Sequence, residues 1–306
     1  FNQPQLRLAK FRQAIQLNPM SIVANSNYAH DLILYGQIDE ARAVQKRMLS
    51  INATHHFTYS TQGAILLAEG RYAQAVVAFE IALKYAPKDI NVSFEAAYSL
   101  ATIGMADKAA SYLVGTDSEA YQYWYLGKKD MFIRQIRQTY PRNAQDSLGN
   151  YIRGSAEALI ENYAQAIKYF HSVPKVWVIF ERIYSHQQLG NTAVAEELLL
   201  IHKQRVQPWV DAGAKYFTSV NLLQPIELAV LEIAFLEGDI DLAIEYLTKA
   251  INKNYILNFD YKTEPMYQKL RAHPQWPALL AKSEKRAAKQ RAIYLKLIAN
   301  GSSVER

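Results

Sequence analysis

Seven histidines are scattered along the chain, and only His55 and His56 adjoin. Imidazoles can ligate metals or shuttle protons. Neighbouring residues on a helix or turn point apart, however, so two-point chelation by this pair would be strained. The nearest approach to the paired carboxylates of acid–base catalysis is Glu196-Glu197 and Asp239/Asp241. Both sit at the starts of expected helices, where acidic groups favour the helix dipole. The absence of cysteine excludes thiolate catalysis, disulfides, zinc–cysteine sites and iron–sulfur clusters. No HExxH or GxSxG occurs, and the 12 glycines are spread singly rather than gathered in a phosphate-cradling loop. These residue types therefore predict a protein that is not an enzyme and holds no metal or cofactor.

The elements that would position any site are written in a repeat. Gly36, Gly70 and Gly104 lie 34 residues apart, as do Ala41, Ala75 and Ala109, and as do Pro19, Ala53 and Pro87. Such a period marks a stacked helix–turn–helix array. The clearest unit runs from about His56 to Asp89. Gly63 and Ala75 let two antiparallel helices approach, while Tyr72 and Phe79 fill the space between neighbouring hairpins. Gly70 tolerates the positive φ of a helix end, and Pro87 stops the second helix.

This pattern of small, small, glycine, aromatic, alanine, aromatic, alanine and proline resembles the tetratricopeptide repeat (TPR) family. The resemblance covers roughly residues 5 to 253 and implies an all-α, TPR-like right-handed solenoid of antiparallel helix pairs with a C-terminal capping helix. Four segments are expected: TPR-like repeats over 1–114, the first truncated; an irregular helical hairpin over 115–142, stopped by Pro141; degenerate repeats over 143–262, with an insertion near 202–223; and a cap with a basic helix over 263–306. In the cap, Pro265 and Trp276 mark the starts of a short and a long helix. Leu280, Ala287, Tyr294, Leu297 and Ile298 share one side of the long one.

The ending also resembles the TPR regulatory part of bacterial winged-helix transcriptional regulators and of TPR-containing nucleotide cyclases. The likeness rests on a proline–aromatic–leucine doublet followed by Lys289-Gln290-Arg291-Ala292. It agrees with a chain that opens at Phe1 on half a repeat, and we expect further protein upstream.

In TPR arrays the first helix of each hairpin lines an inner groove. Carried onto this chain, that resemblance assigns His30, Phe57, Ser60, Phe94, Tyr98, Tyr151, Trp177, Phe180, Tyr184 and Glu232 to the groove. Aromatic rings offer large contact area at low entropic cost, so the stripe could hold a protein or peptide, or else serve only as packing between repeats. The lysine–asparagine carboxylate clamp of some family members is absent: Ser26 with His30, and Ser60 with Ala64, occupy its positions. A second aromatic cluster, Tyr121, Tyr123, Trp124 and Tyr125, cannot share one helix face, so one ring should be exposed.

The formal charge of +6 is concentrated in the tail, where seven Lys/Arg face two Glu from Ala278 onward. A near-neutral body argues against a nucleic-acid groove. No stretch is apolar enough to span a membrane. A periplasmic and a cytoplasmic address both remain open. A structural scaffold, including a homo-oligomer, and a small-molecule sensor using the Gly115–Arg142 break or the His202–Leu223 insertion are the alternatives to a protein-binding module.

Overall fold

The computed structural model describes residues 4–116, 118–140, 146–177, 179–219 and 222–301. Among the described residues a lone helix, α1 (Pro4–Leu17), precedes seven antiparallel helix pairs. They are α2 (Ile22–Leu34) with α3 (Ile38–Ile51), α4 (His56–Ala68) with α5 (Tyr72–Tyr85), α6 (Ile90–Thr102) with α7 (Ala106–Ser111), and α8 (Ala120–Tyr125) with α9 (Lys129–Thr139). Then come α10 (Ser147–Leu159) with α11 (Tyr163–Phe170), α12 (Phe180–Gln188) with α13 (Thr192–Asp211), and α14 (Ile226–Leu236) with α15 (Ile240–Asn252). The fold is an all-α, TPR-like array. Pro141 and Arg142, which bound the irregular hairpin in the sequence, lie outside the described residues, as do Phe1 and Asp117.

Local chemistry sets the helix limits. Asp89 accepts from Asn91 N and Val92 N at the start of α6, and Asp239 accepts from Leu242 N at the start of α15. Asp239 is thus a cap rather than half of an acid pair. His55 also caps: its Nδ1 accepts from Phe57 N at 3.2 Å, while His56 lies 3.3 Å from Asp89. Within a pair, Gly63 faces the fully buried ring of Phe79, and Gly154 faces Phe170 in the same way.

Two expectations need correction, and the stretch near 202–223 falls into two elements. Its first part extends α13 to 20 residues, through Pro208. Its second part begins an antiparallel hairpin of β1 (Tyr216–Ser219) and β2 (Leu222–Pro225), with Phe217 opposite Gln224. None of the rings in the Tyr121–Tyr125 cluster is exposed, because later elements cover α8; Trp124 Nε1–H donates to Asp260 at 3.2 Å. On the last helix, α18 (Trp276–Ala299), Tyr294 and Ala287 are buried but Ile298 is exposed.

The array also closes on itself. Lys215 N–H donates to Leu34 O at 2.8 Å, setting β1 beside α2, and the Tyr216 hydroxyl donates to Ala68 O at the end of α4. Asn258 Nδ2 donates to Tyr98 Oη at 3.1 Å. The last helix runs back to α5: Gln290 Oε1 accepts from Ala73 N at 2.9 Å, and the Tyr294 hydroxyl donates to Glu80 at 2.6 Å. The three repeat glycines mark this seam. Gly36, Gly70 and Gly104 have φ of +72°, +72° and +81°, and a Cβ on each would fall 2.7, 2.6 and 2.9 Å from Lys215, Asn254 and Arg291 respectively. Each therefore serves as a left-handed turn and as a close-contact point for the C-terminal half.

Candidate functional site

The first helices α6, α8, α10, α12 and α14 turn one face inward. There they meet β2 and the segment Asn258–Tyr267, which includes α16 (Phe259–Thr263) and the 3-10 turn Pro265–Tyr267. This segment occupies the inner curve that the sequence left free for a partner. What remains is a chamber of about 160 Å³.

Four of the expected groove residues line it: Phe94, Tyr98, Tyr151 and Glu232. The others go elsewhere. His30 and Ser60 border a separate pocket of about 70 Å³ next to Glu95, and His30 Nε2 lies 3.3 Å from Thr218 Oγ1 on the covering strand. Phe57 is half-buried against His56, with ring centroids 4.2 Å apart. Phe180 and Tyr184 are core residues: their rings stack 5.7 Å apart, and Phe180 also stacks on Tyr267 at 5.0 Å. Trp177 is not on a first helix at all. It sits in the turn before α12, its N–H donating to Pro174 O at 3.0 Å, and it is 41% exposed with Tyr151 edge-on to it at 6.2 Å.

Sequence reasoning missed most of the chamber's polar wall. Glu181, Asp260 and Glu264 join Glu232, and Tyr125, Tyr261 and Tyr267 add hydroxyls. Asp260 and Glu264 come from a stretch with no helical period, and their neighbours read as cap signals. The only available hint was the density of acids and tyrosines between Asn254 and Tyr267.

Burial sets the electrostatics. It is the main force raising Glu181 to about 7, with nearby Asp260 adding to it. It likewise raises Glu232 to about 8, reinforced by Glu181 and opposed by Arg205. Glu264 is pushed well above the carboxylate range by burial, then by Asp260 and Glu181. Asp260 is raised by burial too, partly relieved by the Trp124 N–H. Glu181 and Glu232 keep part of their surface exposed, and both line the chamber. Desolvation is still the leading cause at all four acids.

The chemistry this arrangement can do is limited. The His30–Thr218 contact resembles a nucleophile and its base, but His30 makes no further hydrogen bond among the described residues. Burial also holds it neutral, lowered to about 4. A working triad needs a third group to orient the base. Among the described residues no group of three His, Asp or Glu side chains could hold a metal ion. No helix among the described residues is long and apolar enough to cross a membrane.

A second cavity, of about 480 Å³, opens between the Gly36 and Gly70 turns and the β-hairpin and shares Tyr98 with the chamber. Its walls are mostly apolar, and of its two lining lysines, Lys215 and Lys253, the second is paired with Glu227. On the outside, Leu148, Val176 and Trp177 are exposed, and Trp177 packs on the half-buried Tyr151.

No family model and no curated protein matches the chain. Among solved structures it is similar to the Cut9–Hcn1 hetero-tetramer of the APC/C, with 15% identity over 91% of this chain and 53% of that one, and a TM-score of 0.48. It is also similar to YrrB, a TPR protein with an unusual peptide-binding site, with 15% identity over 79% and 91% of the two chains and a TM-score of 0.31. Naa15/Naa10 bound to HypK-THB matches with 15% identity over 100% and 54%, and a TM-score of 0.34. The chain thus spans about half the length of the Cut9–Hcn1 chain it matches.

Proposed function

We propose that this chain is a non-enzymatic protein- or peptide-binding module, the regulatory region of a larger bacterial signalling protein such as a winged-helix transcriptional regulator. The observation that carries the binding surface is the apolar rim at the junction of the fifth and sixth hairpins. A tryptophan held edge-on by a tyrosine, with exposed leucine and valine beside it, is the kind of rigid aromatic anchor that dominates protein interfaces. The inner curve is occupied by the chain itself, so the partner surface moves from the groove to this rim. A photo-crosslinker placed at Leu148 should capture a partner, and one at the remote Leu17 should not. Trp177→Ala should abolish capture while leaving the far-UV circular dichroism unchanged. Equal capture by the Trp177→Ala chain refutes the rim. A captured species that is another copy of the chain, with a mass in light scattering that follows concentration, establishes the scaffold alternative instead.

The small-molecule reading has an observation of its own. The Gly115–Arg142 break supplies Tyr121, Trp124 and Tyr125 to the chamber, and the stretch near 202–223 supplies Leu222. The two irregular segments that interrupt the repeat therefore meet at one cavity.

A further inference from the structure

The chamber is unbalanced in charge and in hydrogen bonding. Four carboxyl groups border it, and no Lys, Arg or His is among the described residues lining it. The nearest basic groups stand behind the wall, with His202 Nε2 3.9 Å from Glu232, Arg205 acting on Glu232 and Arg271 on Glu264. The hydroxyls of Tyr125, Tyr261 and Tyr267 make no hydrogen bond among the described residues, although these side chains are only 6%, 3% and 6% exposed. Buried polar groups are normally satisfied, and a cluster left without partners around a cavity marks the place of a missing one. Tyr261 and Tyr267 both lie within the electrostatic reach of Glu232 and Glu264, so the open hydroxyls and the acids face the same space.

The shape of that space restricts what enters. Cavities near 150 Å³ accept a molecule the size of benzene, so 160 Å³ holds about six heavy atoms. A peptide could place no more than one side chain in it. Among the described residues, these carboxylates form no group of three that could hold a metal ion. The rings of Phe94, Trp124 and Tyr151 supply apolar walls, and aromatic rings can attract a desolvated cation. An ammonium group carries three N–H donors, matching walls rich in acceptors.

We infer that the chamber binds a small organic cation, an alkylammonium of about six heavy atoms, with Glu232 and Glu264 as its main counter-charges. This assignment rests on the small-molecule reading given above. Binding draws the acids into their ionised form and so expels protons, making affinity higher in alkaline than in acidic buffer.

The test uses diaminobutane as the cation and butanediol as an uncharged molecule of the same length, each added to the intact chain. Diaminobutane should raise the unfolding temperature in a concentration-dependent way, more at about pH 9 than at about pH 6, and butanediol should not. Glu264→Gln and Glu232→Gln each remove a buried acid without loss of volume, so both variants should fold. Each should weaken diaminobutane by at least about tenfold in calorimetry. Equal responses to the two compounds, or unchanged affinity in both Gln variants, overturn the cation assignment. If butanediol alone binds, the assignment fails while the small-molecule reading survives. If neither compound perturbs the wild-type chain at either pH, both fall.

Discussion

Gly63→Ala tests the close approach of helices within a pair, seen at Gly63 with Phe79 and at Gly154 with Phe170. A Cβ at residue 63 would lie 2.6 Å from Cζ and 2.7 Å from Cδ1 of Phe79, whose ring is fully buried. Carbon atoms prefer about 3.5–4.0 Å, so the ring must retreat by roughly an ångström into a core without slack. Such overpacking costs about 3 kcal/mol, the upper end of the usual range. Replacing a mid-helix glycine returns about 1 kcal/mol through helix propensity, for a net loss of about 2 kcal/mol. In a Phe79→Leu background the clash is relieved, and the same change should become neutral or stabilising by up to about 1 kcal/mol. Urea unfolding followed by circular dichroism on the four chains of this cycle measures the coupling directly. Stabilisation by Gly63→Ala in the wild-type background, or strict additivity with Phe79→Leu, would refute the close-approach argument. Gly154 with Phe170 should behave alike, since its added Cβ would lie 2.6 Å from Cδ1.

Other outcomes follow from the seam and the buried charges. Gly70→Ala should destabilise more than Gly238→Ala in the same unfolding assay. Both residues have positive φ, but only Gly70 meets a neighbour, Asn254. Tyr294→Phe leaves Glu80 with Tyr112 and Lys108 but removes a short bond from the last helix, and should cost about 1–2 kcal/mol. Glu95, Glu181 and Glu232, raised to about 8, 7 and 8, keep protons that the unfolded chain has lost, so their stabilisation is full in acid and disappears as pH rises. His30 and His202, lowered to about 4 and 3, act oppositely, but only below their ordinary value of 6.5. Stability should therefore fall as pH climbs from about 6.5 to 8, and Glu232→Gln should flatten that slope. A flat wild-type profile over this window would contradict the desolvation account.

The helix pairs were legible because their signals are local. Gly70 with Pro87, or Gly63 with Phe79, lies within one unit, and the period repeats each signal. The closure was not legible. Gly36 with Lys215, Gly70 with Asn254 and Gly104 with Arg291 join distant residues, and each glycine already had a sufficient local explanation as a turn. The β-hairpin escaped notice because strands of four residues give too little alternation to read. The groove assignment assumed that first-helix positions continue through the irregular hairpins. Trp177 breaks that assumption because α12 does not begin until Phe180. The acids at 260 and 264 stand in a segment whose only visible purpose was to end the array.

An open stack of hairpins can be trimmed from one end, one unit at a time, and what is left still holds its shape. Tyr294 reaching Glu80 removes that freedom here. A ribosome must deliver residue 294 before the second complete hairpin gains its final partner, so a nascent chain remains incompletely braced until late in synthesis. Ring closure of this kind should turn graded, piecemeal melting into a single cooperative collapse, and clipping the last helix should loosen the first half of the chain as much as the second.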